Sequence, residues 1–164
     1  MILIQQVKLP KEIEEVKELI REFTAWALPL TEHIEDVPTF NNLEDELAGL
    51  PGEFAPPYGR LLLATSNGKA AGCIALKQHS ATAGELKRFY VRPEFRGQGV
   101  GWRLVDALIN EARMGRYKKI VLDSHQTMTK AHEIYGVFGF QKVSAPEGFP
   151  PKLAEEVVFM ELDL

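Results

Sequence analysis

The spacing of apolar positions changes period several times along the chain, and each change marks an element. Residues 1–7 alternate and predict a first strand. Pro10 precedes a helix from about Lys11 to Ala27, in which Ile13, Val16, Leu19, Ile20 and Phe23 recur at helical spacing until Pro29 stops it. Asn41 or Asn42 can cap a second helix to about Leu50, closed by Pro51-Gly52. A Pro/Gly loop over 53–59 leads into a hairpin: a strand from Arg60 to Thr65, a turn at 66–69, and a returning strand from Ala70 to Lys77. Gly84 to Val91 is a fourth strand. Gly99 to Gly115 is an amphipathic helix, with Val100, Leu104, Leu108 and Ala112 spaced by four. Ile120 to Leu122 is a short buried strand, and Thr127 or Thr129 can cap a helix to about Val137, before the break at Gly139. Phe140 to Val143 and Val157 to Leu162 are the last strands, read as a long hairpin. The order is β-α-α-β-β-β-α-β-α-β-β. Hairpins mixed with crossover helices predict an α+β class with one mixed, mostly antiparallel sheet flanked by helices. No repeat, low-complexity tract or linker divides the chain, so 1–164 reads as a single domain.

The fourth strand breaks its own alternation. Its apolar residues are Leu86, Phe89 and Val91, whereas strict alternation from Leu86 would put Arg88 and Tyr90 on the core face. The step of three predicts one extra residue, a bulge, which interrupts pairing and leaves backbone N–H and C=O groups free for a ligand.

Directly after it comes Val91-Arg-Pro-Glu-Phe-Arg-Gly-Gln-Gly-Val-Gly101, leading into the amphipathic helix. Glycine lets backbone approach a ligand closely, and the first N–H groups of a helix lack intrahelical partners. With the positive end of the helix dipole they form a site for phosphate groups. A P-loop would close its glycine run with Gly-Lys-Ser/Thr, but Gly101 is followed by Trp102 and Arg103. A dinucleotide fingerprint needs Gly-x-Gly-x-x-Gly, but Gly97, Gly99 and Gly101 read Gly-x-Gly-x-Gly. A plain glycine-rich turn would show the same three glycines.

The run resembles the Arg/Gln-x-x-Gly-x-Gly/Ala signature of the GNAT N-acetyltransferases, with Arg96, Gly99 and Gly101 on its fixed positions. The segment Ala131-His-Glu-Ile-Tyr-Gly-Val-Phe-Gly-Phe140 resembles the family's Ala-x-x-x-Tyr-x-x-x-Gly-Phe pattern. The resemblance covers about Leu61 to Leu162 and is most specific from Gly84 to Phe140. It implies acetyl-CoA as cosubstrate, with its pyrophosphate on the backbone of Arg96, Gly97, Gln98, Gly99, Val100, Gly101 and Trp102. It implies that pantetheine pairs with backbone at Phe89, Tyr90 and Val91 and passes Met128 and Ala131. Tyr135 would give a proton to the leaving sulfur, since a phenol stays protonated at neutral pH. Glu85 would act as general base, through water in some members, because an ammonium must lose a proton before it can attack a thioester. One departure stands out: many members carry asparagine where this chain has Met128, so that hydrogen bond is missing or comes from Thr127, Thr129 or His125.

Other residues have plainer readings. Glu85 could simply pair with Lys87 or Arg88 on a surface strand. Asp123 and His125 share a strand face and could form a proton relay, but polar residues at a strand end explain them as well; His125 is a second candidate base. Cys73 lies in an apolar run and reads as a small buried hydrophobe. No cysteine–histidine spacing matches a zinc site, His132 included, so no metal is expected. His33 and His79 show no partner pattern.

Composition narrows the class. With 45% hydrophobic and 26% charged residues, the 164-residue chain is an ordinary globular protein. No apolar run reaches membrane-spanning length, and the N-terminus lacks the basic start of a signal peptide. A single cysteine excludes an intrachain disulfide, and a reducing, cytoplasmic setting fits. A formal net charge of −4 argues against general nucleic-acid binding, while positive charge clusters at Lys87, Arg88, Arg92, Arg96 and Arg103, which suits a small anionic ligand. The expected activity is acetyl transfer to a primary amine of a small molecule or peptide. A non-catalytic acyl-CoA sensor on the same fold is the alternative, and a homodimer is left open. The acceptor site is expected from the first helices, the Phe54–Tyr58 loop and the final hairpin around Pro146–Pro151. Glu22, Glu32, Glu35 and Asp36 could meet a cationic amine or form a solvated face.

Overall fold

The computed structural model describes residues 1–30 and 42–164. Its elements are β1 (Ile2–Gln6), α1 (Pro10–Ala27), α2 (Leu43–Ala48), β2 (Arg60–Ser66), β3 (Lys69–Gln78), β4 (Ala83–Val91), α3 (Val100–Met114), β5 (Lys119–His125), α4 (Thr129–Val137), β6 (Gln141–Val143), α5 (Pro151–Ala154) and β7 (Val157–Asp163). Seven strands form one sheet in the order β1-β2-β3-β4-β5-β7-β6. Every pairing is antiparallel except β4 with β5. The α+β class matches the expectation, and so does the element order up to β6, after which a short helix α5 is added before β7.

The sheet is covered on both faces, so β2 and β3 are apolar at nearly every position rather than alternating. On one face Leu104, Val105, Leu108 and Ala112 of α3 pack on Leu62, Ile74, Leu76, Leu86, Ile120 and Leu122. On the other, Val16, Leu19 and Ile20 of α1, with Leu47 and Phe54, pack on Leu61, Leu63, Cys73, Ala75 and Tyr90. Leu104 is fully buried between α3 and the sheet. Leu104→Ala is expected to cost about 2–5 kcal/mol, read as a lower denaturation midpoint with an unchanged slope.

Several local expectations are corrected. The last two strands pair antiparallel, and β7 pairs with β5 along its other edge, so it lies between β5 and β6. The short helix α5 fills part of the segment read as a hairpin loop. Asn42 precedes α2 in left-handed conformation (φ 59°) and makes no side-chain cap, and Asn41 lies outside the described residues. Neither Thr127 nor Thr129 caps α4: Met128 holds that position, and no side chain closes the helix start. At α1 the two backbone N–H groups of Lys8 and Leu9 donate to the Glu12 carboxylate at 2.7 and 2.8 Å, which holds the Glu12 carboxyl below its ordinary range.

Candidate active site

The expected bulge lies in β4. Cys73 faces Tyr90, but the next β3 pairing joins Ala75 to Lys87, so β4 spends an extra residue there. Arg88 takes the strain, with φ 57°. The bulge turns Phe89 and Val91 toward α3, on the same side as Leu86. Tyr90 goes to the α1 side. Arg88 is buried there and forms a two-point pair with Glu46 of α2, at 2.9 and 3.0 Å. Parallel pairing of β4 with β5 covers only Ala83–Glu85 against Lys119–Val121. Beyond Leu86 the strands part, so the second half of β4 presents backbone to a wedge instead of to β5.

One side of the wedge opens into a cleft of about 560 Å³. Phe89, Tyr90, Val91, Arg96, Gly97, Gly99, Val100, Gly101, Trp102, Met128 and Ala131 all line it. Gln98 is on the same loop but turns its amide back to the Glu94 carbonyl at 3.1 Å. Gly99 starts α3 at φ 84°, a conformation that costs other residues energy. Gly101 is needed for space: a Cβ there would come within 3.2 Å of Phe89 and 3.1 Å of Ile134. The first-turn N–H groups of α3 therefore stay open to a ligand.

The positive cluster expected from the sequence is largely neutralised. Arg92 is held by Glu22, at 2.8 Å to the nearest oxygen, and by the Ala70 carbonyl at 2.9 Å, while Arg88 is held by Glu46. Long side chains that look clustered in sequence point to different faces of the sheet, and two of them are consumed by acidic helix residues. Glu22 is thus a partner for Arg92 rather than for an amine. Arg96 does reach the cleft: its Nε donates to the Val91 carbonyl at 2.9 Å, and its guanidinium lies 5.6 Å from the Trp26 ring and 5.9 Å from the Tyr90 ring. Lys130 of α4 also lines the cleft and was missed by sequence reading, as were Phe23 and Trp26 of α1. The aromatic pair at helical spacing was the available signal.

On the other side of the wedge lies a smaller cavity of about 110 Å³, lined by Glu85, Lys87, Asp123, His125 and Tyr135. Phe23, Ala27, Leu153 and Val157, from α1, α5 and β7, are its apolar walls. The Phe54–Tyr58 loop does not contribute: Phe54 is buried under the sheet, and the Tyr58 carbonyl accepts from Tyr117 at 2.6 Å. Phe23, Phe89, Met128 and Ala131 line both spaces, so the two adjoin.

The ionisable groups here have different surroundings. The Tyr135 ring packs between Phe89 and Phe140, at 5.8 and 5.5 Å, and burial, then the charge of Asp123, pushes its phenol well above the ordinary tyrosine range. Glu85 sits beside Lys87 at 3.8 Å and Lys77 at 3.9 Å, with the His79 ring at 4.0 Å, so His79 has a partner after all. Asp123 is exposed at the surface of the cavity it lines, yet the protein crowded around its carboxyl raises its pKa by desolvation. The Asp123–His125 relay is not formed. His125 Nδ1 instead faces Thr127, at 2.7 Å from its hydroxyl and 3.3 Å from its backbone N–H, and Nε2 is buried without a partner. His132 Nε2 meets the Ser124 hydroxyl at 2.9 Å, and its pKa is lowered by burial, then by Lys142. Cys73 is a buried hydrophobe as expected, its thiol pushed up to about 12 by burial. His33, Glu32, Glu35 and Asp36 lie outside the described residues. Among the described residues no cluster could hold a metal ion, and no helix is long and apolar enough to cross a membrane.

The model of the acetyltransferase (GNAT) family matches residues 14–140. The chain is a GNAT acetyltransferase. It is 36% identical to an uncharacterised N-acetyltransferase of Schizosaccharomyces pombe, over 99% of this chain and 95% of that one. Its fold is similar to a GNAT-family acetyltransferase of Staphylococcus aureus, with TM-score 0.77 at 23% identity over 100% of this chain and 99% of that one. It is equally similar to the PaiA N-acetyltransferase of Thermoplasma acidophilum, solved with coenzyme A, with TM-score 0.77 at 18% identity over 100% and 99% of the two chains. As a member of this family it uses acetyl-CoA as cosubstrate and an amine as acceptor. The open glycine cradle at the α3 start and the unpaired half of β4 fit such a molecule: one offers N–H groups to phosphates, the other backbone to amide groups.

Proposed function

We propose that the chain transfers an acetyl group to a primary amine of a small molecule or peptide by direct attack, and that residues 1–164 act as one domain. The observation that carries this reading is the junction of the two spaces. A phosphate-ready cleft and a carboxylate-bearing cavity meet at Phe89, Met128 and Ala131, one helical turn from Tyr135.

Bound in the cleft, acetyl-CoA supplies an activated thioester carbonyl. The amides from Arg96 to Trp102, Gln98 included, hold its phosphates, and the Arg96 guanidinium adds charge. The backbone of Phe89, Tyr90 and Val91 orients the pantetheine arm and offers N–H groups to the carbonyl oxygen. Met128 and Ala131 wall the arm. With methionine at this position the contact is apolar, and the neighbouring Thr127 and Thr129, which also line the cleft, are the polar groups within reach. Tyr135 donates a proton to the leaving sulfur. Glu85 and Asp123 are the two carboxylates on the acceptor wall, and one of them takes the proton from the amine.

An amine panel with acetyl-CoA and a thiol reporter tests the reading. Free thiol should appear only when both substrates are present. A melting shift with acetyl-CoA alone would not separate an enzyme from a sensor, because binding stabilises either. Thiol release by none of the amines would overturn transfer.

A further inference from the structure

Three groups on one wall could accept the amine's proton, and their surroundings separate them. Glu85 is already compensated: its carboxylate has Lys77, Lys87 and His79 within 4.0 Å, and only 14% of its side chain is exposed. Its oxygens are already engaged by these side chains, which makes it a poorer partner for a further cation. His125 is set in the wrong tautomer. The backbone N–H of Thr127 points at Nδ1, so Nδ1 must accept, and a neutral ring then carries its proton on Nε2. That buried nitrogen can donate into the cavity but has no lone pair to take a proton.

Asp123 remains. It lies on β5 past the point where β4 departs, on the same strand face as Val121 and His125, and so beside Glu85, which pairs with Val121 across the parallel register. No salt bridge ties it to the cations that hold Glu85. We propose, resting on the acetyltransferase reading, that Asp123 is the catalytic carboxylate: it docks the acceptor as an ammonium and takes its proton, while Glu85 holds Lys77 and Lys87 in place. The N–H bond breaks and an O–H bond forms on Asp123; the freed lone pair forms the C–N bond at the thioester carbon, the C–S bond breaks, and the leaving thiolate takes the proton of Tyr135. The acceptor class follows. Among the described residues Asp123 makes no salt bridge of its own, so its carboxylate is open to a cationic amine, and the walls of Phe23, Ala27, Leu153 and Val157 select an apolar group beside it.

The groups facing Asp123 are Glu85 and Lys87 of β4, Lys77 of β3, Arg88 at the bulge and Tyr135 of α4, with His125 on its own strand. Burial raises the Asp123 pKa, so its ionised form is disfavoured in the fold. The stability this group contributes is complete below the unfolded value of about 3.9 and is lost as pH rises through the higher folded value. Asp123→Asn should therefore raise the melting temperature more at pH 7 than at pH 4, the reverse of what removing a structural carboxylate would do.

Asp123→Asn, Glu85→Gln and the parent are compared in thiol release with an amine the parent acetylates, across pH 5.5–9. Asp123→Asn should lose about 100-fold or more in kcat/KM near neutrality and recover partly as neutral amine accumulates, with coenzyme A affinity kept within about twofold. Glu85→Gln should lose far less and keep the acid limb of the parent profile. Parent-like kinetics in Asp123→Asn, or the larger loss in Glu85→Gln, would overturn the assignment. Asp123→Ser repeats the measurement if the asparagine variant fails to bind coenzyme A. If the parent releases thiol with no amine, transfer fails separately, and docking is read by calorimetry of amines on the coenzyme A-loaded parent: at least tenfold weaker binding in Asp123→Asn supports it, whereas equal binding, or none by the parent, overturns it.

Discussion

Tyr135→Phe is expected to lower kcat by about 10²–10⁴-fold while coenzyme A affinity barely moves. The ring makes the packing contacts, with Phe89 and Phe140, and phenylalanine keeps them. What is lost is one proton donor beside the junction of the two spaces. Because burial pushes the phenol above its ordinary value, Tyr135 stays protonated through the whole alkaline working range, and the parent should show no loss of rate from tyrosine ionisation below about pH 10. Single-turnover kinetics at several pH values, with parallel calorimetry, check both statements. A Tyr135→Phe variant with full activity would remove the residue from the mechanism.

Gly99→Val is expected to weaken coenzyme A binding at least tenfold, with the sheet intact. The cause is conformational. A Cβ at Gly99 meets nothing within 4 Å, but φ 84° is a region that a β-branched residue enters only at a cost of about 1–3 kcal/mol. The chain would relieve that strain by rotating the peptides that start α3, which are the ones aimed at the phosphates. Gly101→Val acts through volume instead, pushing on Phe89 and Ile134, and should lower stability as well as affinity. Titration calorimetry with coenzyme A, alongside thermal melts, separates the two effects. Unchanged affinity in Gly99→Val would move the phosphate site elsewhere.

Much of the architecture is legible in the chain because it rests on local physics. Periodicity alone marks α1 and α3, whose buried faces repeat every three to four residues. The bulge in β4 is legible too, since one extra residue between Leu86 and Phe89 shifts the apolar pattern by one. The glycines at 97, 99 and 101 announce unusual backbone geometry before any coordinate is known. By contrast, α5 is not legible in the chain, because its four residues, Pro-Lys-Leu-Ala, are too few to carry a periodic signal.

The sequence by itself determined the elements, the bulge, the glycine cradle and the family that the spacing of Arg96, Gly99, Gly101 and Tyr135 resembles. Tertiary structure alone decided where the charges go. Arg88 and Arg92, apparent anion ligands in the linear chain, are turned to the α1/α2 side and neutralised by Glu46 and Glu22, residues 42 and 70 positions away. Glu85 acquired Lys77 of β3 and Lys87 of β4, with the His79 ring also at 4.0 Å, whereas among the described residues Asp123 has no partner at salt-bridge distance. Strand periodicity says which side of a sheet a residue faces, but the partner it meets there is set by how distant helices and strands dock, and the electrostatics of the site depend on that partner.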